Sequence, residues 1–408
     1  MSLYDKYFLM KSDDVAAYVV NKLPDFFDKD AKLICKEIGD GNLNYVFRVK
    51  DENSGKTIIV KQAAEELRIS KEMKISTDRG RIESEILGLQ GELCPGMVPK
   101  VYLYDGTMCA FIMEDMIGHY MMRTALCEHK IFPKFADQCS TFLARTLLLT
   151  SDIVMEHKHK KELVRSYINP QICEITEDLV YSEPYLNYNS RNNVFEPNRE
   201  FVEKELYSDK ALHLEAAKLK FEFMNNAQSL IHGDLHTGSI FINEEHSFFF
   251  DCEFACYAPM AYDIGNIMAN MFFAWANGDA TIEDPKEKEK FCSWCIDTIE
   301  QILDGFKVKF SQLYQSHVTD HMAKSKGFLD WYLQKVIEDT AGCVGLELIR
   351  RTVGMANVKD VTSIKNVAAR TRAERIIITY AKNCILNRKE FKSGFDFVCA
   401  MNKAIAKF

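Results

Sequence analysis

The chain has 408 residues, with 51 Lys and Arg against 59 Asp and Glu, a formal charge of −8. Hydrophobic residues at 47% exclude a disordered chain, since burial of that much apolar surface offsets ordering entropy, and the length calls for two or more lobes. The acidic balance speaks against nucleic acid as a partner, because phosphate binding needs a basic face.

No uninterrupted apolar run is long enough for a membrane span. The nearest, Ala261 to Trp275, is broken by Asp263, Asn266 and Asn270 and reads as a buried helix. The first residues lack the apolar stretch of a signal peptide. The 13 cysteines are odd in number and scattered through apolar runs, so reduced thiols and a cytoplasmic location are expected. Cys292 and Cys295 have redox spacing, but they sit in a helical run with no second Cys/His pair, which makes them packing residues.

In chain order, Ser12 to Asp14 caps a helix reaching about Asn21. Strands follow at Tyr45 to Val49 and Thr57 to Lys61, then a helix from Asp78 to Leu89, then strands at Val98 to Tyr104 and Met108 to Glu114. Beyond residue 116 helical spacing dominates: Ala136 to Thr150, Leu212 to Leu230, Lys286 to Lys309, Gly327 to Arg350 and Thr371 to Ala381. One hairpin, Ile240 to Asn243 and Phe248 to Phe250, interrupts them. The expectation is an α+β chain of two lobes, a small β-rich one over residues 1–115 and a large helical one over 116–408.

Four elements carry chemistry together. Gly39-Asp40-Gly41-Asn42-Leu43-Asn44 precedes a strand, and its glycines let backbone N–H groups approach phosphate. Lys61 ends an apolar strand and suits the α- and β-phosphates of a nucleotide, with Glu83 preferred over Glu85 as its acidic partner. His232-Gly233-Asp234 enters the hairpin, and Asp251-Cys252-Glu253 leaves it. A hairpin turning near Glu245 would bring Asp251 and Glu253 back towards Ser239 and Asp234. Three carboxylates at one hairpin mouth repel unless a cation or substrate compensates, so Asp251 and Glu253 are read as ligands of Mg²⁺ on nucleotide phosphates. Asp234 would then accept the proton of an acceptor hydroxyl.

His232 and His236 lack the helix and third ligand of a zinc site, and His232 is read as a loop brace, as is Asp263. Met113-Glu114-Asp115-Met116 falls where the lobes would join, as a plain connector or with backbone groups for an adenine edge. Arg350 and Arg351 end a helical run; neighbours on a helix diverge by about 100°, so only part of the pair need face a ligand. Two arginines at the acceptor would repel choline or an aminoglycoside and tolerate a neutral sugar. Trp331 and Phe254 are read as core, with the lining of a small apolar substrate pocket as the alternative, and the stretch His157 to Lys161 as a solvated face.

The H-G-D loop, the D-x-E pair and the lobe order resemble the small-molecule kinases related to aminoglycoside phosphotransferases and choline kinases. Within that group, Ile38 to Phe47, Leu230 to Ser239, Asp251 to Gly265 and Arg350-Arg351 are similar to the methylthioribose kinases. The resemblance implies a bilobal, protein-kinase-like fold, a homodimer, and phosphorylation of the anomeric hydroxyl of 5-methylthioribose by ATP and Mg²⁺ in methionine salvage. It assigns Asn44, Lys61 and Glu114 to Met116 to ATP, Asp251 to Glu253 to metal and phosphates, and Asp234, Arg350 and Arg351 to the sugar. Cys252 replaces the proline usual in the family. Ser239 stands where related kinases have a metal-binding Asn, and would be a weaker metal ligand. Alternatives are a kinase of another small hydroxyl compound, choline-like or aminoglycoside, and an inactive nucleotide-binding module.

Overall fold

Strand β3, Thr57–Ala63, is buried at every residue after the first, because both of its faces are covered. In the computed structural model, which describes residues 3–38, 44–64 and 75–408, the chain divides into two units. The first is Met1–His119 with Phe248–Ala255; the second is Tyr120–Ser247 with Cys256–Phe408.

The first unit is an antiparallel sheet of β1 (Leu33–Glu37), β2 (Asn44–Asp51), β3, β4 (Val101–Asp105) and β5 (Ala110–Met113), in the order β1-β2-β3-β5-β4. Side chains alternate along a strand. Ile58 and Val60 join Phe47, Val49 and Ile112 in a core closed by Val15, Tyr18 and Val19 of helix α1, Ser12–Lys22. The opposite parity, Ile59, Lys61 and Ala63, meets helix α2, Asp78–Leu93; a Cβ on its Gly80 would stand 3.4 Å from the Ala63 Cβ. Lys61 is thus aimed at α2 by strand parity, paired in register with Val46 and Phe111.

The second unit is mainly helical. Strand β6, Tyr120–Met121, leads into α3, Met122–Cys127, and α4, Phe135–Leu149. Four short helices follow: α5 His157–Ser166, α6 Pro170–Leu179, α7 Glu183–Leu186 and α8 Arg199–Val202. Helix α9 is Lys210–Asn225. Strands β7 (Ser229–Ile231) and β10 (Cys256–Ala258) pair antiparallel, Ile231 opposite Cys256. Strand β8, Ile240–Ile242, pairs with β6 and precedes β9, Ser247–Phe249. The remainder is α10 (Ala261–Thr281), α11 (Pro285–His317), α12 (Phe328–Val353), α13 (Lys359–Thr362), α14 (Val367–Leu386) and α15 (Gly394–Ile405). Helix α10 is buried at every residue from Ala261 to Gly278, as its all-round apolar sequence requires. Among the described residues no helix is long and apolar enough to cross a membrane.

The α+β class matches expectation, and several elements differ in detail. The apolar run Leu212 to Leu230 is two elements: the helix stops at Asn225 and Leu230 lies in β7, a break that apolar periodicity alone does not register. Helix α1 begins at Ser12, with the Asp14 carboxylate accepting the Lys11 N–H at 2.9 Å. Trp331 is 59% exposed and not core. Lys160 departs from the solvated face around it: it is 3% exposed, with its ammonium on Asp152 and the Ala227 and Gln228 carbonyls.

Candidate active site

In the first unit, the Lys61 ammonium is buried and donates to Glu83 Oε1 at 2.8 Å and to Asp251 Oδ1 at 2.5 Å. Burial alone would lower its pKa, but the carboxylates of Asp251, Glu83 and Glu253 outweigh that and raise it, so it stays charged. Burial pushes the Glu83 carboxyl up, and Lys61 restores it only in part. Glu253 is raised likewise by burial, against the pull of Lys61 and Arg79. Its Oε2 accepts from the Asn44 amide at 2.7 Å and lies 3.6 Å from Arg79 Nε.

Asp251 has φ 67°, in the left-handed region, at a cost on the order of 1 kcal/mol. The Asp251 carboxylate meets the Lys61 ammonium directly, and that of Glu253 lies near enough to raise its pKa. Cys252 itself turns inward, with no exposure and its Sγ 3.7 Å from the Glu83 carbonyl. The expected contact of Cys252 with metal or phosphate is therefore not available to its side chain. Asn44 too is committed, to Glu253 rather than to an open face. Asp115 is tied to Arg48 by two hydrogen bonds, 2.6 and 2.9 Å, and the Glu114 carboxylate accepts the Lys100 N–H at 3.1 Å. At that segment only backbone groups are left for a ligand. Gly39 and Gly41 lie outside the described residues.

Among the described residues this cluster sets three carboxylates (Glu83, Asp251, Glu253) against two cations (Lys61, Arg79). The excess is negative, and the donors are hard oxygens. Asp251 is the exposed member, its side chain 37% accessible. That donor set fits Mg²⁺, which takes one or two carboxylates and completes its shell with phosphate and water. A protein-only metal cluster would need more ligands, and none occurs among the described residues.

The second unit carries Asp234, Arg350 and Arg351. After β7 the chain turns at Gly233, φ 84°, a conformation that favours glycine. Asp263, at the start of α10, accepts the His232 N–H at 2.6 Å and the Gly233 N–H at 3.0 Å, bracing the loop. Asp234 is thereby fixed, and three side chains reach it. Arg350 Nη2 is 2.9 Å and Arg351 Nη2 3.3 Å from Oδ1, while His236 Nε2 is 3.2 Å from Oδ2. Burial would push the Asp234 carboxyl up; His236, Arg351 and Arg350 hold it well below the usual carboxylate range. His236 Nδ1 accepts the Gly238 N–H at 3.0 Å, which assigns the proton to Nε2, facing Asp234. Burial lowers the His236 pKa, in keeping with a neutral ring.

Both arginines converge on one oxygen, despite being neighbours on a helix. Their common anchor is Glu347, fully buried: Oε2 accepts from Arg350 Nε, and Oε1 from Arg351 Nε at 3.3 Å and from Asn270 Nδ2 at 3.1 Å. Two carboxylates, Asp234 and Glu347, thus meet two guanidiniums, and this cluster is closed in charge. Ser239, expected as a metal ligand, is 1% exposed, and its hydroxyl donates to the Asp234 carbonyl at 3.0 Å.

The structure brings Lys61, Glu83, Asn44, Asp251 and Glu253 together in one unit, and Asp234, Arg350 and Arg351 in the other. Sequence reasoning missed Arg79, His236, Glu347 and Arg123. Arg79 had a signal: a cation in the first turn of a helix opposes the helix dipole and needs another reason to be there. So had Glu347, three and four residues before the arginine pair, the spacing of helical ion pairs. Arg123, which donates to Asn270 Oδ1 at 2.8 Å, had none.

The phosphotransferase enzyme family matches residues 173–284. The chain is 38% identical over 368 residues to a methylthioribose kinase of Geobacillus sp. (strain WCH70), covering 90% of this chain and 89% of that protein. It is 36% identical over 372 residues to the methylthioribose kinase of Geobacillus thermodenitrificans (strain NG80-2), covering 91% of each. Among solved structures, the choline kinase of Cryptosporidium parvum Iowa II covers 93% of this chain and 95% of its own, at 12% identity and a TM-score of 0.47. With identity of this order sustained over nine-tenths of its length, the chain is a small-molecule kinase and belongs to the methylthioribose kinase family.

Proposed function

We propose that this kinase transfers the γ-phosphoryl group of ATP to the anomeric hydroxyl of 5-methylthio-D-ribose, giving the 1-phosphate, as a step of methionine salvage. The relatives' names support the substrate. The observation that carries the acceptor class is the convergence of Arg350 and Arg351 on Asp234. A carboxylate already matched by two guanidiniums attracts no cationic amine, and desolvated arginines would repel one by several kcal/mol. A neutral sugar meets no such penalty.

Lys61 holds the α- and β-phosphates, oriented by Glu83, and the Glu114 carbonyl and Met116 N–H meet the adenine edge. Asp251 and Glu253 would hold Mg²⁺, which would supply positive charge to neutralise the phosphates. Asp234 hydrogen-bonds the acceptor hydroxyl and orients it. Its depressed pKa makes it a weak base, and two features make that sufficient. Phosphoryl transfer passes through a loose transition state with little early demand for proton removal. A hemiacetal hydroxyl is also more acidic than an ordinary alcohol. Arg350 and Arg351 meet the negative charge spread over the transferring group, a role worth about 10³–10⁵ in rate where an arginine performs it. A homodimer in the cytoplasm is part of the same proposal.

The test is ADP release with Mg·ATP and a panel of acceptors: methylthioribose, ribose, choline and an aminoglycoside. Methylthioribose should give the highest kcat/KM. Faster turnover of choline or the aminoglycoside would move the chain to another acceptor, and nucleotide binding without ADP release for any acceptor would make it an inactive binding module.

A further inference from the structure

Helix α12 places a fully buried acid, Glu347, one turn before Arg350 and Arg351. A buried carboxylate costs several kcal/mol unless it is paired and hydrogen-bonded. Here each oxygen is used: Oε2 by Arg350 Nε, Oε1 by Arg351 Nε and the Asn270 amide. Successive residues on a helix point about 100° apart, and their side chains diverge unless something between them holds both. Glu347 lies at i−3 from one arginine and i−4 from the other, the two spacings from which a helical side chain reaches its neighbours. With both Nε groups fixed, both Nη2 groups are left directed at Asp234 Oδ1, at 2.9 and 3.3 Å.

We infer that Glu347 is a positioning residue of this kinase: it converts two diverging arginines into one clamp on Asp234 and the acceptor. The inference rests on the proposed role of Asp234 and the arginine pair. Glu347 touches neither acceptor nor nucleotide, and acts through the guanidiniums alone. An amide in its place would accept from one arginine and present N–H donors to the other, releasing it. An aspartate keeps the charge but is shorter by one methylene, so it reaches one arginine and not both.

The test compares wild type, Glu347→Gln and Glu347→Asp by steady-state kinetics and by the ¹⁵N-arginine Nε–Hε signals, assigned with Arg350→Lys and Arg351→Lys. Glu347→Gln should lower kcat for methylthioribose by about a hundredfold, the scale expected when reacting groups are misplaced by an ångström. Its KM for ATP should stay within about twofold of wild type, and Glu347→Asp should fall between. In the spectra, both arginine signals should be hydrogen-bond shifted in wild type, with at least one reverting to the free-arginine position in each variant. A purely structural role would lower thermal stability and leave kcat per folded enzyme and the arginine signals unchanged; that result overturns the inference. Should wild type not turn over methylthioribose, the substrate reading fails alone, because the arginine signals still decide the positioning role. Should Glu347→Gln not fold, Glu347→Asp decides it by the same two readouts.

Discussion

At the scale of single residues, the cluster around Lys61 and the cluster around Asp234 differ in electrical state. Around Lys61 the described carboxylates outnumber the cations, while around Asp234 they balance. The balance has a consequence for stability. The folded pKa of Asp234 lies below its unfolded value of about 3.9, so its ionised form stabilises the fold at all pH above that value. That contribution is lost as pH falls through the folded pKa. Asp234→Asn should therefore be less stable than wild type in urea denaturation between pH 8 and pH 5, by a constant margin, and the margin should close below pH 4. A variant more stable than wild type at pH 7 would mean that Asp234 is not matched by its arginines. Motif residues such as Lys61, Asp234 and Asp251 were legible in the sequence because their spacing and neighbours are distinctive. His236 was weighed only as a metal ligand. Its link to Asp234 depends on a proton placement that the Gly238 N–H sets, which spacing does not express.

At the scale of elements, glycine marks where helices approach closely. A Cβ on Gly265 of α10 would stand 2.5 Å from the Cys343 Cβ and 2.8 Å from the Val344 nitrogen of α12, and backbone there cannot yield. Gly265→Ala should destabilise the chain by about 1–3 kcal/mol, the cost of overpacking. Gly88 of α2 has nothing within 4 Å of its would-be Cβ, and Gly88→Ala should stabilise by about 1 kcal/mol through helix propensity. Chemical denaturation checks both, and equal effects of one sign would contradict the packing. Long periodic segments such as α10, α11 and α12 were legible because burial imposes the pattern. The strands β1, β7 and β10 and the four-residue helices α7 and α8 were not, since three to five residues, or a single turn, hold too little periodicity to read.

At the scale of the whole molecule, Lys61, Glu83, Asp251 and Glu253 lie in the first unit, and Asp234, Arg350 and Arg351 in the second. The sequence reading placed a division near residue 116 because strand patterning gives way to helix there. It did not anticipate that Phe248–Ala255, with Asp251 and Glu253, would group with the first unit. They follow the Asp234 loop in sequence, yet Asp251 bonds the lysine of the sheet, a pairing across 190 positions that no local pattern displays.

The most direct measurement is ³¹P NMR of the product made from Mg·ATP and methylthioribose, by wild type and by Asp234→Ala. Wild type should yield one sugar phosphate with its phosphorus coupled to the anomeric proton. The variant should yield none while binding ATP with near-normal affinity. Phosphate on another hydroxyl, or undiminished product from Asp234→Ala, would contradict the account.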